Sequence, residues 1–193
     1  HWAAPITFAE FSQSTQVDSV PAYLKRYIKN DVFEVMANGS LNYSVKGICI
    51  GIKGTWHYTP PTNGGDTFTS IKKGSKATLK IVQDEKNGFV KELYIQKEPD
   101  IDNRTFEAQL QKTVEQLQIT YPFLSVKNKK NGTYLIDIPQ EKRLGHEEHF
   151  SKVAKAFLHY VHNQDMPEWE NENTLAKYYI TTTAVEMAKK GNK

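Results

Sequence analysis

Turn-forming sequences that contain glycine recur along this chain and separate short runs of alternating apolar and polar residues. They are Asn38-Gly39, Lys73-Gly74, Lys86-Asn87-Gly88 and Asn131-Gly132. Such turns join neighbouring antiparallel strands, so the chain is constrained to a fold that contains an antiparallel sheet. The alternation predicts strands over residues 32–37, about 41–58, 67–71, 77–82, 89–95, 123–127 and 133–138.

Helices are predicted on both sides of these strands. Residues 5–30 are expected to be helical or irregular, with Thr7 as the N-cap of one helix and Pro21 at the start of a second, short helix. An amphipathic helix is predicted over residues 103–119, because its apolar residues recur three and four positions apart. The chain from Gly145 onward is also predicted to be helical.

The last helices carry an apolar stripe that we expect to pack against the protein interior. Its residues are Phe150, Val153, Ala154, Phe157, Leu158 and Val161. Asn173 or Thr174 is expected to cap the final helix, which should end near Gly191.

These elements together indicate an α+β fold class, with strands joined by hairpins and helices grouped before and after them. We predict an open, mostly antiparallel (mixed) β-sheet of about six to seven strands, with helices packed on one face. No repeat or internal boundary is visible, so residues 1–193 are predicted to form a single domain.

Composition excludes several classes of protein. The net charge is only +3 and basic residues occur in short runs, which argues against nucleic-acid binding. No run of about 18 apolar residues is present, so no membrane-spanning helix is expected. The single cysteine, Cys49, excludes an intrachain disulfide and is predicted to be a small core residue on a buried strand. The start at His1-Trp2 leads us to expect a truncated or processed chain, which leaves a cytoplasmic or a periplasmic location open.

His146 and His149 stand three positions apart at the start of a predicted helix. The spacing differs from that of the zinc motif His-Glu-x-x-His and no third ligand accompanies the pair, so no metal site is predicted. His146 lies four residues before Phe150 and is expected to project from the same face toward the interior. It is interpreted as a hydrogen-bonded structural residue or as a substrate-binding residue.

The run Lys177-Tyr178-Tyr179 precedes three consecutive threonines, which is unusual within a helix. We expect packing to offset the low helix propensity, with Tyr179 in the core. Lys177 remains a candidate substrate-binding residue.

The strongest turn cluster of the chain extends from Thr59 to Asp66 and follows Trp56, His57 and Tyr58. Asp66 has two interpretations, as an ordinary turn residue or as a polar group presented to a ligand. With the three preceding rings the loop could line a sugar site, since rings stack on sugar faces and carboxylates and imidazoles bind hydroxyls.

Six motifs, in order along nearly the whole chain, resemble the C-terminal domain of a bacterial branch of the glucose–fructose oxidoreductase / inositol dehydrogenase (Gfo/Idh/MocA) family. They are Val35-Met-Ala-Asn-Gly-Ser-Leu-Asn-Tyr43, Gly65-Asp66-Thr67, Lys73-Gly-Ser-Lys-Ala-Thr78, Gly145-His-Glu-Glu-His-Phe150, Pro167-Glu-Trp-Glu170 and Ala176-Lys-Tyr-Tyr-Ile-Thr-Thr-Thr-Ala184.

The resemblance implies an N-terminal Rossmann domain, outside this chain, that binds NAD or NADP and supplies the catalytic lysine. It implies that this chain forms an open antiparallel sheet whose free face contributes to the substrate site and to a homo-oligomer interface. Substrates would be sugars, inositols or their derivatives. Phe68 stands where the resemblance would place a histidine, which argues against a catalytic role for the loop.

Two hypotheses follow. In the first, the chain is the substrate-binding and oligomerisation domain of an NAD(P)-dependent oxidoreductase and is inactive alone, because hydride transfer belongs to the cofactor and its pocket. In the second, it is a non-catalytic carbohydrate-binding or protein-interaction domain that uses its open sheet face. The candidate substrate-binding residues are Trp56, His57, Tyr58, Asp66, His146 and Lys177; no catalytic or cofactor-binding residue is assigned.

Overall fold

A computed structural model of the chain describes residues 1–57 and 64–191. The predicted α+β class is confirmed, and every strand pairing in the described residues is antiparallel. The strands are divided between a four-stranded and a five-stranded sheet. Two compact units contain these sheets: His1–Pro60 with Asp165–Lys193, and Pro61–Gln164.

The first unit is built on a four-stranded sheet in which the central strand β3 pairs with three others. Its elements are β1 (Trp2–Thr7), α1 (Phe8–Thr15), a 3-10 helix (Ala22–Tyr27), β2 (Ile28–Lys29), β3 (Val32–Val45), β4 (Ile48–Gly54) and α4 (Glu168–Lys190). The sheet order is β1-β3-β2, and β4 pairs with the second half of β3.

The strand β1 differs from expectation, because the sequence predicts helical or irregular structure over residues 5–30. Ala3-Ala4-Pro5 has neither strand propensity nor clear alternation, so pairing with β3 decides the conformation. The predicted cap at Thr7 is confirmed: Glu10 N donates to Thr7 Oγ1 at 3.3 Å, and Thr7 N donates to Glu10 Oε2 at 2.8 Å. The helix α1 that follows places Phe11 against Phe33, with ring centroids 4.8 Å apart.

A β-bulge interrupts the pairing of β1 with β3. Trp2 of β1 pairs with Asn38 of β3. Ala4, two residues further along β1, pairs with Val35, three residues earlier in β3. One extra residue therefore lies within positions 36–37 of β3. Such a bulge shifts the alternation of side chains by one position. Two residues of β3 that are an even number of positions apart therefore lie on opposite faces of the sheet when the bulge separates them.

The predicted turn at Asn38-Gly39 is wrong, because β3 continues through it to Val45. Asn38 is buried within the strand, and this long-range environment overrides the local turn preference. The turn between β3 and β4 lies instead at Lys46-Gly47, whose φ angles of 50° and 80° are typical of a tight hairpin.

The two strands β3 and β4 form a ribbon with one apolar and one polar face. The apolar face consists of three cross-strand pairs, Leu41–Ile52, Tyr43–Ile50 and Val45–Ile48. Cys49 lies on the polar face opposite Ser44 and is exposed, so its predicted place in the core is wrong, although it does lie on a strand. The error arises because an apolar run does not reveal which face of a two-stranded ribbon is covered.

The second unit is built on the five-stranded sheet, in the order β5-β6-β7-β9-β8. Its elements are β5 (Phe68–Lys73), β6 (Ala77–Gln83), a 3-10 helix (Glu85–Asn87), β7 (Glu92–Lys97), α2 (Asn103–Gln118), β8 (Ser125–Asn128), β9 (Thr133–Asp137), a 3-10 helix (Gln140–Lys142) and α3 (His146–Asn163).

The predicted helix over 103–119 is confirmed as α2, which packs on one face of this sheet. The rings of Phe106 and Tyr134 lie 5.7 Å apart, and Tyr134 Oη donates to a carboxylate oxygen of Glu107 at 2.8 Å. Val114 on the same helix is 3% exposed. Since side chains alternate along a strand, Leu135 projects from the face opposite to Tyr134.

The apolar stripe of α3 does not pack inward as predicted. Four of its residues are exposed, and each keeps between 58% and 69% of its surface accessible to solvent: Phe150, Val153, Phe157 and Val161. Helical periodicity shows that a face is apolar, but it does not identify what covers that face.

The final helix α4 also differs from expectation at its start. It begins at Glu168 with Pro167 as the N-cap, so a cap at Asn173 or Thr174 is wrong; proline is well suited to a helix start. The helix ends with Gly191 as C-cap, as predicted. Tyr179 is 73% exposed, so its predicted core position is also wrong. In the described part of the chain, no helix combines the length and apolar character that crossing a bilayer requires.

Candidate binding cleft

A cleft of about 280 Å³ opens beside the bulge in the first unit. Its chemically distinctive lining residues are Trp2, Glu10, Asn38, Trp56 and His57. Trp2 comes from β1, Glu10 from α1, Asn38 from β3, and the last two from the segment that follows β4. The cleft therefore combines two indoles with a carboxylate, an amide and an imidazole, a mixture typical of small-molecule sites.

Asn38 connects the bulge to the segment after β4. The bulge turns Asn38 toward the same face as Phe33, and the residue is 7% exposed. Its Oδ1 accepts a hydrogen bond from the backbone N–H of Trp56 at 2.6 Å. This bond fixes the backbone where the chain leaves β4, and with it the base of the Trp56 side chain.

Glu10 and Trp2 are each held by a contact of their own. Glu10 Oε2 accepts hydrogen bonds from both N and Oγ1 of Thr7, each at 2.8 Å, so the capping box fixes the carboxylate on the cleft wall. Lys53 Nζ lies 5.6 Å from the ring centroid of Trp2, a cation–π contact. Trp2 and Trp56 are 39% and 41% exposed, so both indoles retain accessible ring surface.

The structure brings Trp56 and His57 of the predicted sugar-binding group into one cleft, whereas Tyr58 lies outside the described residues. Asp66 is exposed and belongs to the second unit. The glycine before it has a packing role, since a Cβ on Gly65 would come within 2.8 Å of the Phe89 ring. The turn and ligand interpretations of Asp66 both remain predictions.

His146 is exposed at the first residue of α3, so its predicted projection into the interior is wrong. It does share the helix face of Phe150, but that face is itself exposed. The helix start is organised by its backbone and an acidic side chain: Gly145 N donates to Glu148 Oε2 at 2.9 Å. A role for His146 in substrate binding stays a prediction.

Lys177 is exposed on α4, where its Nζ lies 4.8 Å from the ring centroid of Tyr178. The threonines after it satisfy their hydroxyls within the helix. Thr181 Oγ1 donates to the carbonyl of Lys177 at 2.9 Å, and Thr182 Oγ1 donates to that of Tyr178 at 2.7 Å. These bonds explain how the β-branched run is accommodated in a helix. A substrate-binding role for Lys177 stays a prediction.

Sequence reasoning does not find Trp2, Glu10 or Asn38 as site residues. Local patterns indicate a turn at Asn38 and only a cap at Glu10, while the N-terminal strand that carries Trp2 has no detectable signal. Among the described residues, no cluster of three or more histidine, cysteine, aspartate or glutamate side chains could hold a metal ion.

The chain forms an α+β fold with a small cleft in its first unit, and comparison with known proteins identifies its family. Residues 1–189 match the family described as "Putative oxidoreductase C terminal domain", and the chain belongs to that family. This agrees with the oxidoreductase C-terminal domain implied by the sequence motifs.

One solved structure is closely similar: the crystal structure of a protein described as a putative oxidoreductase from Parabacteroides merdae ATCC 43184. It shares 37% identity with this chain and superposes with a TM-score of 0.95. The match covers 98% of this chain but 43% of that protein, so the chain spans less than half the length of its relative. No match to a curated protein was found.

Proposed function

We propose that this chain is the substrate-binding and oligomerisation domain of an NAD(P)-dependent oxidoreductase of the Gfo/Idh/MocA type, acting on sugars, inositols or their derivatives. The observation that carries the proposal is the family membership together with the close match to part of a longer protein described as an oxidoreductase. In this proposal an N-terminal Rossmann domain binds NAD or NADP and performs hydride chemistry.

The cleft beside Trp56 and His57 supports a substrate-binding role for this domain. It offers aromatic surface with a few fixed polar groups, which is how proteins bind small polar molecules selectively. The domain would hold the substrate by such contacts while the cofactor domain supplies the redox step.

The ribbon of β3 and β4 supports the oligomerisation role. Its apolar face leaves Val45 43%, Ile48 67% and Ile52 49% exposed. A two-stranded ribbon is marginally stable in water unless a hydrophobic face is covered. The helix α1 packs on Phe33, before the bulge, and the bulge turns the apolar face of the ribbon to the other side of the sheet. A second copy that presents the same face would cover it in an isologous contact.

The test uses the full-length protein that contains this chain. Purified protein is incubated with NAD⁺ or NADP⁺ and a panel of neutral sugars, sugar acids and inositols, and formation of the reduced nicotinamide is followed by absorbance. Turnover of at least one cyclic polyol with one of the two cofactors is expected. Cofactor binding without turnover of any panel member, or no cofactor binding at all, would contradict the proposal.

A further inference from the structure

We infer that the apolar face of α3 docks onto the N-terminal cofactor domain of the same polypeptide. This inference rests on the proposed function, which supplies that domain, and adds to it the surface by which the second unit contacts it.

The docking face of α3 consists of five large apolar side chains: Phe150, Val153, Phe157, Leu158 and Val161. Each of them is between 58% and 69% exposed, and no residue of α3 is buried by the described part of the chain. At roughly 100 Å² of accessible surface for each side chain, the face presents on the order of 500 Å². Contiguous apolar patches of that size on a soluble domain mark interaction surfaces.

The opposite side of α3 is suited to water, so only one side of the helix needs a partner. A polar stripe on that side is formed by residues that recur four, three and four positions apart: Glu148, Lys152, Lys155 and His159. The division into an apolar and a polar side therefore runs along most of the helix, and the docking face is one continuous surface.

Both ends of α3 are capped, so the docking face is presented by a formed helix. At its start, Gly145 N donates to Glu148 Oε2 at 2.9 Å. At its end, Gln164 N donates to the carbonyl of Tyr160 at 2.8 Å. A helix that is already formed loses little conformational entropy when it docks, which favours contact with another folded surface.

The area of the docking face fits a tethered domain better than a second copy of the chain. The face and an equal area of its partner would together bury about 1,000 Å², which is within the range of roughly 600–1,500 Å² for contacts between domains of one chain. Stable complexes of separate molecules bury about 1,200–2,000 Å². A covalently linked domain has an effective concentration of about millimolar, so a smaller contact suffices.

The family and the related solved structure indicate where such a domain comes from. Residues 1–189 match a family of oxidoreductase C-terminal domains, which implies a domain that precedes them. The protein from Parabacteroides merdae reproduces the fold over 98% of this chain, and the match covers 43% of its own length. More than half of that protein is therefore available to cover surfaces that correspond to the docking face.

A second copy of the chain has a different place in the proposed assembly. It covers the apolar face of the β3–β4 ribbon, and one isologous contact closes a dimer. The docking face of α3 is therefore left for the cofactor domain of its own chain.

The test places the photo-cross-linking amino acid p-benzoylphenylalanine at Phe157 in the full-length protein, with NAD⁺ or NADP⁺ present. This residue keeps an aromatic ring and on illumination reacts with groups in contact with it. The matched control places the same residue at Ala156, an exposed position about 100° away around the helix axis and outside the docking face. Mass spectrometry should find cross-links from position 157 to peptides of the same chain that precede His1, and few from position 156.

Two substitutions test the same face by hydrogen exchange. Phe157→Asp should raise the exchange rate of the α3 amides by about tenfold or more, because the contact would bury an unpaired carboxylate. Ala156→Asp adds the same charge outside the docking face and should leave this rate unchanged. Circular dichroism and sedimentation identify a variant that misfolds or aggregates, in which case the double variant Phe157→Ala with Val161→Ala replaces Phe157→Asp with the same expected direction. In the parent, protection of α3 should not depend on protein concentration.

The outcomes separate this inference from the proposed function. A cross-linked dimer from position 157, or protection that rises with protein concentration, overturns the inference in favour of a second copy. Absence of cross-links to the preceding chain, or equal exchange in Phe157→Asp and Ala156→Asp, also overturns it. If the protein nevertheless oxidises a panel substrate, the docking assignment is wrong while the oxidoreductase proposal stands. Cross-links to the preceding chain in a protein without nicotinamide-dependent turnover support the docking face and contradict the proposed activity.

Discussion

The backbone N–H of Trp56 donates to Oδ1 of Asn38 across 2.6 Å, which joins the end of β4 to the bulged centre of β3. Both residues line the cleft, and Asn38 is 7% exposed. A buried amide therefore determines both how the chain leaves the ribbon and where an indole of the cleft is anchored. Loss of a partner for a buried polar group costs about 1–3 kcal/mol, so this bond is worth testing by itself.

Asn38→Ala should release the Trp56 amide. Hydrogen exchange at Trp56 N–H, measured by mass spectrometry or NMR, should accelerate by about tenfold or more, because each 1.4 kcal/mol corresponds to a factor of ten. Asn42→Ala is the control, since Asn42 is an exposed residue of the same strand. Equal exchange at Trp56 in both variants would show that the bond does not hold the segment.

The conformation of Asn38 could not be predicted from the local sequence. Asn-Gly is a strong local signal for a hairpin, but the preference is worth less than the pairing and burial that Asn38 gains within β3. The class, the antiparallel pairing, the Thr7 cap and α2 depend on local patterns and could be predicted. The bulge that brings Trp2 beside Asn38 depends on the register between two strands, which alternation alone does not determine.

The stripe of α3 illustrates a second limit. Its periodicity correctly predicts one apolar face, and His146 is correctly assigned to that face. The inward direction is an added assumption, and Phe150 at 69% exposed shows that the described residues do not cover the face. An amphipathic pattern predicts that the apolar face of a helix is buried. It does not say whether the surface that covers this face belongs to the same chain or to another one.

Gly65→Ala should destabilise the second unit by about 1–3 kcal/mol, the usual cost of forcing extra volume into packed structure. The new Cβ would lie 2.8 Å from the Phe89 ring, and Phe89 has a backbone φ of 59°, which limits how it can adjust. Gly54→Ala is the control, because a Cβ added at Gly54 would meet nothing within 4 Å.

Chemical denaturation of the variants checks this expectation. The double variant Gly65→Ala with Phe89→Ala should be less destabilised than the sum of the two single changes, since alanine lacks the Cγ and Cδ atoms of Phe89 that the new Cβ would meet. Strict additivity would mean that Gly65 is needed for a reason other than its approach to Phe89.

Because of Tyr94, we expect the folded protein to lose stability at alkaline pH. Its hydroxyl donates to a carboxylate oxygen of Glu92 at 2.6 Å. That hydrogen bond, with smaller contributions from burial and from the charge of Glu92, raises the pKa of Tyr94 from 10.0 to about 12. A folded-state pKa above the unfolded one stabilises the protein at pH values below 10, and this contribution is lost as the pH rises from 10 to about 12.

Tyr94→Phe should therefore lower the melting temperature at neutral pH and flatten its decline between about pH 10 and 12 relative to the parent. Glu92→Gln should lower the pKa of Tyr94 toward its ordinary value, which ultraviolet titration of phenolate absorbance can follow. Tyr121→Phe serves as the control for the loss of one tyrosine. A parent whose alkaline transition matches that of Tyr94→Phe would contradict the assigned role of Glu92.

The apolar face of the β3–β4 ribbon should respond to charge in a way that its polar face does not. Ile48 and Cys49 are consecutive residues of β4 that point to opposite faces. Ile48→Asp would place a carboxylate in a contact that excludes water, and burying an unpaired charge is strongly unfavourable. In the full-length protein this change should raise the dissociation constant of the assembly by about tenfold or more, measured by light scattering and sedimentation over a range of concentrations. Cys49→Asp adds the same charge one residue away and should leave the mass unchanged. If the parent is monomeric throughout, or if both variants dissociate equally, the ribbon is not the subunit interface.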